Sequence, residues 1–218
     1  AVSRCMSNRN GERGLPSSAQ SIAGTSVTLA GAIAFLGIVT AEVLYPGYST
    51  RQDISDLGST RPPNPVSHEP AATIFNSTML VSGLLLLVAA YFAYRALGRW
   101  DLPVLLGLFG LGTFGVGLFP GNVVPWHGLA AMLTFVTGGL TALVSARAVD
   151  RPFSLLCGLL GAVSLAFLVS AVGFGIAGQP HPLAALGPGG IERWVVYPLL
   201  LWALAFGGYL LGAESAEA

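Results

Sequence analysis

The stretch that decides the fold is FSLLCGLLGAVSLAFLVSAVGFGI, residues Phe153–Ile176, which contains no charged side chain. A helix needs about 20 consecutive apolar residues to cross the hydrocarbon core of a bilayer. This stretch is long enough, and a run of this length without charge is typical of a transmembrane helix. We therefore predict that Phe153–Ile176 spans a membrane.

Five further segments have the same character. The chain of 218 residues is 53% hydrophobic and 9% charged, and its mean hydropathy is +0.71. Soluble domains carry about 25% charged residues. We therefore predict an all-α, polytopic membrane protein with a bundle of six transmembrane helices over residues 21–213. The other five spans are Ser21–Leu44, Thr73–Leu97, Leu102–Phe119, His127–Ala146 and Glu192–Gly212.

The arginines predict how the bundle is oriented. Seven of the ten lie in the N-terminal tail and in the loops after the second and fourth spans, and three lie on the other side. Cytoplasmic loops carry an excess of basic residues. We therefore predict a multi-pass protein of the cell membrane with both termini in the cytoplasm. Residues 1–20 are polar and predict a disordered cytoplasmic tail, and residues 214–218 form a short acidic tail.

Ionisable residues gather at the predicted extracytoplasmic ends of the spans. Charges near hydrocarbon are costly, so they tend to be paired and functional. This distribution predicts a site at that end of the bundle. The seven residues are Glu42, Asp53, Asp56, His127, His181, Glu192 and Arg193.

Two carboxylates in the first outer loop have alternative interpretations. Asp53 and Asp56 are three residues apart, so a helical turn would place both on one face. Neighbouring carboxylates can separate their pKa values or chelate a cation. The alternative is that they accept backbone hydrogen bonds at a turn or a helix cap.

The charged residues at the helix ends also leave alternatives open. Arg193 can pair with Glu42 or with one of the aspartates, or it can bind a lipid phosphate. Glu42 can face the lipid headgroups or turn inward. Asn76, which lies in the first turn of the second span on the same side, can hydrogen-bond a neighbouring helix or the aspartate loop. Glu192 and Arg193 are adjacent, and adjacent residues on a helix point about 100° apart, so they need not pair with each other.

Histidine chemistry is possible at the same end. His127 can ligate a metal, relay a proton or lie at the headgroup boundary. His68 and His181 lie on the same side, but no two histidines have the spacing of metal ligands. We therefore predict no metal and no cofactor. The zero net charge gives no electrostatic basis for binding nucleic acid.

Glycines of the third span indicate how the helices pack. Small residues let helices approach closely in a membrane, so we expect tight packing here. The alternative is that a ligand or a lipid tail lies against the backbone. The glycines are Gly107, Gly110, Gly112, Gly115 and Gly117.

Polar motifs at several span ends resemble a known family. Over about residues 22–212 the chain resembles the six-helix archaeal and bacterial membrane proteins of domain of unknown function 998. The resemblance implies six membrane helices and no assigned activity. The motifs are Tyr45-Pro-Gly-Tyr, Asp53-Ile-Ser-Asp-Leu-Gly, Ile74-Phe-Asn-Ser, Gly115-Val-Gly-Leu-Phe-Pro, His127-Gly, Glu192-Arg193 and Tyr197-Pro198.

At fewer positions, the chain also resembles a eukaryotic six-helix family. That family includes autophagy modulators and proteins that remodel the lipid of GPI anchors. The matching positions are Asp53, Asp56 and His127. This similarity implies lipid handling and transfers no enzyme activity.

Three functions follow as hypotheses. The first is binding or handling of a membrane lipid, with Arg193, Glu192, Asn76 and Glu42 as ligand-binding residues. The second is an intramembrane lipid hydrolase or transferase, with His127 as base and Asp53 or Asp56 as its orienting group. The third is a structural subunit that stabilises a membrane protein partner or a homo-oligomer.

Overall fold

The computed structural model describes residues 18–215, and within this range the chain forms six long helices and no strand. Each of the six is long and apolar enough to cross a membrane. The predicted all-α, six-helix membrane fold is therefore confirmed. The helices are α1 Ser18–Leu44, α2 Ala71–Leu97, α3 Asp101–Leu118, α4 Trp126–Ser145, α5 Phe153–Ile176 and α6 Gly187–Ser215.

The start of α6 differs most from the predicted spans. α6 begins at Gly187, whereas the sequence predicted Glu192 as its first residue. The run Gly-Pro-Gly-Gly favours a loop, but proline is tolerated in the first turn of a helix. The N–H of Gly189 also donates to the carbonyl of Arg51 at 2.9 Å. A contact with a distant loop therefore supports this turn, which local sequence cannot reveal.

Both predicted tails fall largely outside the described residues. Of the predicted disordered tail, residues 1–17 lie outside, and residues 18–20 belong to α1. Of the predicted acidic tail, residues 216–218 lie outside. Disorder of the N-terminal tail stays a prediction.

The six helices form a closed ring. Each helix packs against its neighbour in sequence, and α6 closes the ring by packing against α1. We call the end that contains Leu44, Ala71, Leu118, Trp126 and Gly187 the polar end. At the opposite end the interior is filled by large side chains, among them the fully buried Trp202 and Phe206.

Close packing of α3 depends on several of its glycines, and two of them show the reason. A Cβ atom at Gly110 would lie 2.9 Å from the carbonyl oxygen of Gly83 in α2. A Cβ atom at Gly112 would lie 2.6 Å from the backbone nitrogen of Thr134 in α4. Both distances are too short for a real side chain. The expectation of tight helix packing is confirmed at these two positions.

A loop covers the polar end. The segment between α1 and α2 contains a short 3-10 turn, Ile54–Leu57, which we call the cover turn. Ile54 is 3% exposed and Leu57 is 0% exposed. The cover turn contacts α1, α2 and α6. Its apolar side chains therefore close the interior of the bundle at this end.

Candidate functional site

Arg193 of α6 connects most of the polar end. Its Nη2 lies 2.5 Å from Oε1 of Glu42 and 2.9 Å from the hydroxyl oxygen of Tyr48. The Arg193 and Glu42 side chains are only 11% and 18% exposed. Nη1 donates to three backbone carbonyls, which are those of Thr50, Gln52 and Gly189.

The structure thus contains the Arg193–Glu42 ion pair that the sequence offered as one alternative. Glu42 turns inward toward α6. Both terminal nitrogens of Arg193 are bonded within the protein. Binding of a lipid phosphate by Arg193 stays a prediction, and a phosphate would have to compete with these contacts.

Tyr48 adds a second connection within the loop. Its hydroxyl accepts from Arg193 and donates to the carbonyl of Asp53 at 3.1 Å. Burial raises the pKa of Tyr48 to about 12, and the hydrogen bond from Arg193 opposes only part of that rise. The hydroxyl therefore stays protonated at neutral pH and can keep donating to the loop backbone.

Glu192 contacts a different part of the loop from its neighbour Arg193. Its Oε2 accepts a hydrogen bond from the backbone N–H of Ile54 at 2.5 Å. The two residues therefore serve different partners, as their angular separation on a helix allows. Glu192 holds the first residue of the cover turn, while Arg193 holds the loop that precedes it.

A cavity of about 80 Å³ lies inside the bundle beneath the cover turn. Five helices line it, namely α1, α2, α3, α4 and α6, together with the cover turn. The lining is mostly apolar and includes Ala34, Ile38, Phe75, Met79, Val116, Phe135 and Leu200. Its polar side chains are those of Glu192, Ser55, Ser82, Thr113 and Thr134.

The two aspartates lie at the cover turn in different surroundings. Asp53 directly precedes the turn, and its Oδ2 lies 3.0 Å from Nη2 of Arg61. Its side chain makes no capping hydrogen bond. Asp56 is half-buried, and burial raises the pKa of its carboxyl, with a further rise from the charge of Asp53 and a lowering effect from Arg61. The structure thus places the two carboxyls close enough to interact electrostatically.

His127 is buried at the start of α4, with 4% of its surface exposed. Its Nδ1 lies 2.7 Å from the carbonyl oxygen of Phe119. A carbonyl only accepts, so Nδ1 carries the proton. Within residues 18–215 neither Asp53 nor Asp56 hydrogen-bonds this ring. The base and orienting group that a hydrolase needs are therefore not in contact, and the catalytic roles of these residues stay predictions.

The other two histidines lie in separate contacts. His181 accepts at Nδ1 from the N–H of Leu183 and bonds Ser170 of α5 through Nε2 at 3.1 Å. The ring of His68 packs edge-on against Tyr45, with the centroids 4.4 Å apart. In the part of the chain that the structure describes, no three His, Cys, Asp or Glu residues form a group that could hold a metal ion.

Asn76 connects α2 with the cover. Its Nδ2 lies 3.5 Å from the carbonyl oxygen of Gly58, and its Oδ1 is buried without a partner among the residues that the structure describes. This matches the expected contact with the aspartate loop. Binding of a ligand by Asn76 stays a prediction.

Two residues of the site were missed from the sequence. Tyr48 lies in the motif Tyr45-Pro-Gly-Tyr, so its position at a span end was a usable signal. Ser82 lies within an apolar span and had no distinguishing pattern around it. Its place in the cavity wall depends on how α2 is rotated in the bundle.

Comparison with known proteins agrees with this architecture. Residues 28–209 match the family described as protein of unknown function (DUF998). No curated protein and no solved structure matches the chain. The match covers most of the six-helix bundle, including Glu42, the cover turn and Arg193. The chain therefore belongs to this family of membrane proteins of unknown function, DUF998.

Proposed function

We propose that this membrane protein binds a membrane lipid at its polar end, which we place on the extracytoplasmic side. The polar part of the lipid lies near Glu192 and the cover turn, and an apolar chain enters the cavity. The observation that carries the proposal is that Glu192 both hydrogen-bonds the cover turn at the polar end and lines the cavity.

The cavity lining suits an apolar chain. Its walls are formed by aliphatic and aromatic side chains, such as Ile38, Met79 and Phe135. Ligand sites are usually mostly apolar, with a few polar groups that fix orientation. In this cavity Glu192 is the one ionisable group among the lining residues that the structure describes. It can therefore orient the polar end of a bound molecule.

The ion pair of Arg193 and Glu42 has a supporting role in this proposal. It fixes the loop that carries the cover turn to α1 and α6. Asn76 fixes the same loop to α2. A rigid support of this kind keeps the binding groups in place before a ligand arrives. Arg193, Glu42 and Asn76 thus hold the loop that carries the cover turn, while Glu192 contacts the ligand.

The test is to ask which lipids remain bound after gentle extraction. The protein is isolated with its surrounding bilayer in polymer-bounded nanodiscs, and bound molecules are identified by native mass spectrometry. Ala34 lines the cavity, so Ala34→Phe should fill it and remove the bound lipid. Leu36 lies on the same helix with 62% of its surface exposed, so Leu36→Phe is the matched control.

Retention of the same lipid in folded Ala34→Phe protein would contradict the proposal. Ala131→Leu, which narrows the cavity from α4, gives a second variant if Ala34→Phe does not fold. Loss of the lipid from Leu36→Phe to the same extent as from Ala34→Phe would also contradict it.

A further inference from the structure

Ser82 departs from the pattern that other hydroxyls of the bundle follow. In the helices, threonine hydroxyls donate to the carbonyl four residues earlier, which satisfies them within hydrocarbon. The residues that do so include Thr28, Thr40, Thr113, Thr134, Thr137 and Thr141. Ser82 is 1% exposed, and its Oγ has no hydrogen-bond partner within residues 18–215.

The unpartnered hydroxyl lies in the wall of the cavity. A buried polar group without a partner is unfavourable, and such groups call for a ligand, a water or a functional explanation. Thr113 and Thr134 line the same cavity, but their hydroxyl protons are already donated to their own helices. Ser82 is therefore a donor within the cavity that remains free to bind a ligand.

Helix packing gives the distance between Ser82 and Glu192. Gly37 of α1 packs directly on Thr78, and Gly31 packs on Ala203. Ser82 is four residues deeper in the bundle than Thr78, and Gly31 is six residues deeper than Gly37. Ser82 therefore lies slightly above Ala203, close to the level of Leu200. Leu200 is eight residues beyond Glu192 in α6. At 1.5 Å per residue, the two polar groups are separated by about 12 Å along the bundle axis.

Glu192 has acceptor capacity left. Oε2 accepts from the N–H of Ile54, and no hydrogen bond to Oε1 is seen within residues 18–215. A carboxyl oxygen has lone pairs that accept hydrogen bonds. Oε1 can therefore accept from a hydroxyl or ammonium head, whereas an anionic head has no proton to donate to it. The cavity thus has an acceptor at its outer end and a donor deeper in the bundle.

We propose that the cavity binds one linear amphiphile whose hydroxyl or ammonium head donates to Glu192 and whose chain carries an oxygen that accepts from Ser82. This rests on the proposed function and names the class of lipid: a single chain, a head that is not anionic, and a second polar atom part-way along. Two-chain anionic phospholipids do not fit these contacts.

The experiment uses photoreactive probes on the full-length protein in nanodiscs. The main probe is a linear diol of about ten carbons, which reaches across the separation of about 12 Å. The matched probes are the mono-alcohol and the carboxylic acid of the same length. Labelled residues are mapped by mass spectrometry, with Met79 and Phe135 as reporters of the cavity.

In the wild type, the diol should label the cavity reporters about fivefold more than the mono-alcohol, the gain expected of one hydrogen bond. Ser82→Ala should reduce diol labelling to the level of the mono-alcohol and leave mono-alcohol labelling unchanged. Thr40→Ala removes an exposed hydroxyl of α1 outside the cavity wall and should change neither. The acid should label weakly, and Glu192→Gln should raise its labelling toward that of the mono-alcohol.

Equal diol labelling of wild type and Ser82→Ala, or strong wild-type labelling by the acid, overturns the proposal. Ser82→Ala removes a hydroxyl that makes no hydrogen bond in the described part of the chain, so this arm remains decisive even if Glu192→Gln does not fold. An amino alcohol of the same length tells an ammonium head from a hydroxyl head. If lipid co-purifies but no probe reaches the cavity, this inference fails while lipid binding stands. If no lipid co-purifies and no probe reaches the cavity, both fail.

Discussion

Arg193 of α6 and Glu42 of α1 are ion-paired at the polar end, with Nη2 2.5 Å from Oε1. The same guanidinium donates to the carbonyls of Thr50 and Gln52 in the loop that carries the cover turn. One side chain therefore joins the first and last helices of the ring and also fixes the cover above the cavity.

Removing this side chain should destabilise the bundle. Arg193→Gln leaves Glu42 without its counter-ion and the loop carbonyls without donors. Breaking a buried ion pair from one side costs about 3 kcal/mol or more, which corresponds to a fall in Tm of roughly 6–12 °C for a domain of this size. Arg193→Lys keeps the charge but loses the planar set of donors, so its loss should be intermediate. Thermal unfolding in detergent measures both.

The matched control is Arg61→Gln. Arg61 pairs with Asp53 at 3.0 Å, but its side chain is 63% exposed. Exposed ion pairs contribute at most about 1 kcal/mol. A fall in Tm for Arg61→Gln as large as that for Arg193→Gln would contradict the prediction that the Arg193–Glu42 pair contributes more stability than the exposed pair.

The predicted topology can be tested with single cysteines. In a background of Cys5→Ser and Cys157→Ala, Asn64→Cys places a thiol in the exposed loop at the polar end, and Asp150→Cys places one at the opposite end. A membrane-impermeant maleimide should label Asn64→Cys in intact cells. It should label Asp150→Cys only after permeabilisation. The reverse pattern would place the cavity entrance on the cytoplasmic side.

The six-helix fold could be predicted from the sequence because charge in hydrocarbon is costly, so each membrane span is visible as an apolar run with little charge. The span Phe153–Ile176 was predicted with the bounds that the structure has. The start of α6 was missed because Gly189 bonds Arg51, which is distant in sequence. Helix propensity and hydropathy contain no information about such a contact.

The candidate site was predictable only in part. Glu42 and Arg193 could be grouped because both are charged residues at span ends, but their pairing depends on α1 and α6 being neighbours in the ring. Ser82 could not be identified at all. Many serines in apolar helices bond their own backbone, and only the rotation of α2 places this one against the cavity.

The stability of the protein should fall as the pH rises through the titration of Asp56. Burial, aided by the charge of Asp53, raises the pKa of Asp56 in the folded state. The folded state then binds the proton more tightly than the unfolded state, in which the pKa is about 3.9. Stability that depends on this proton is present at low pH and is lost as the pH rises from about 4 through the folded-state pKa.

Asp56→Asn removes the titrating carboxyl, so its Tm is the reference with which the Tm of the wild type is compared. The Tm of the wild type minus that of Asp56→Asn should decrease from about pH 4 upward and level off above the folded-state pKa. Acid effects on carboxyls that do not interact with Asp56 cancel in the difference. A difference that increases with pH would mean that the folded state stabilises the carboxylate of Asp56, for instance through Arg61.

Two glycine-to-alanine changes should have opposite effects on stability. Alanine is favoured over glycine in a helix by about 1 kcal/mol. Gly128 of α4 has no atom within 4 Å of an added Cβ, so Gly128→Ala should leave Tm unchanged or raise it. At Gly112 the Cβ would lie 2.6 Å from the nitrogen of Thr134. Overpacking of this kind costs about 1–3 kcal/mol, so Gly112→Ala should lower Tm. Equal Tm values for the two variants would mean that α3 and α4 are not in direct backbone contact.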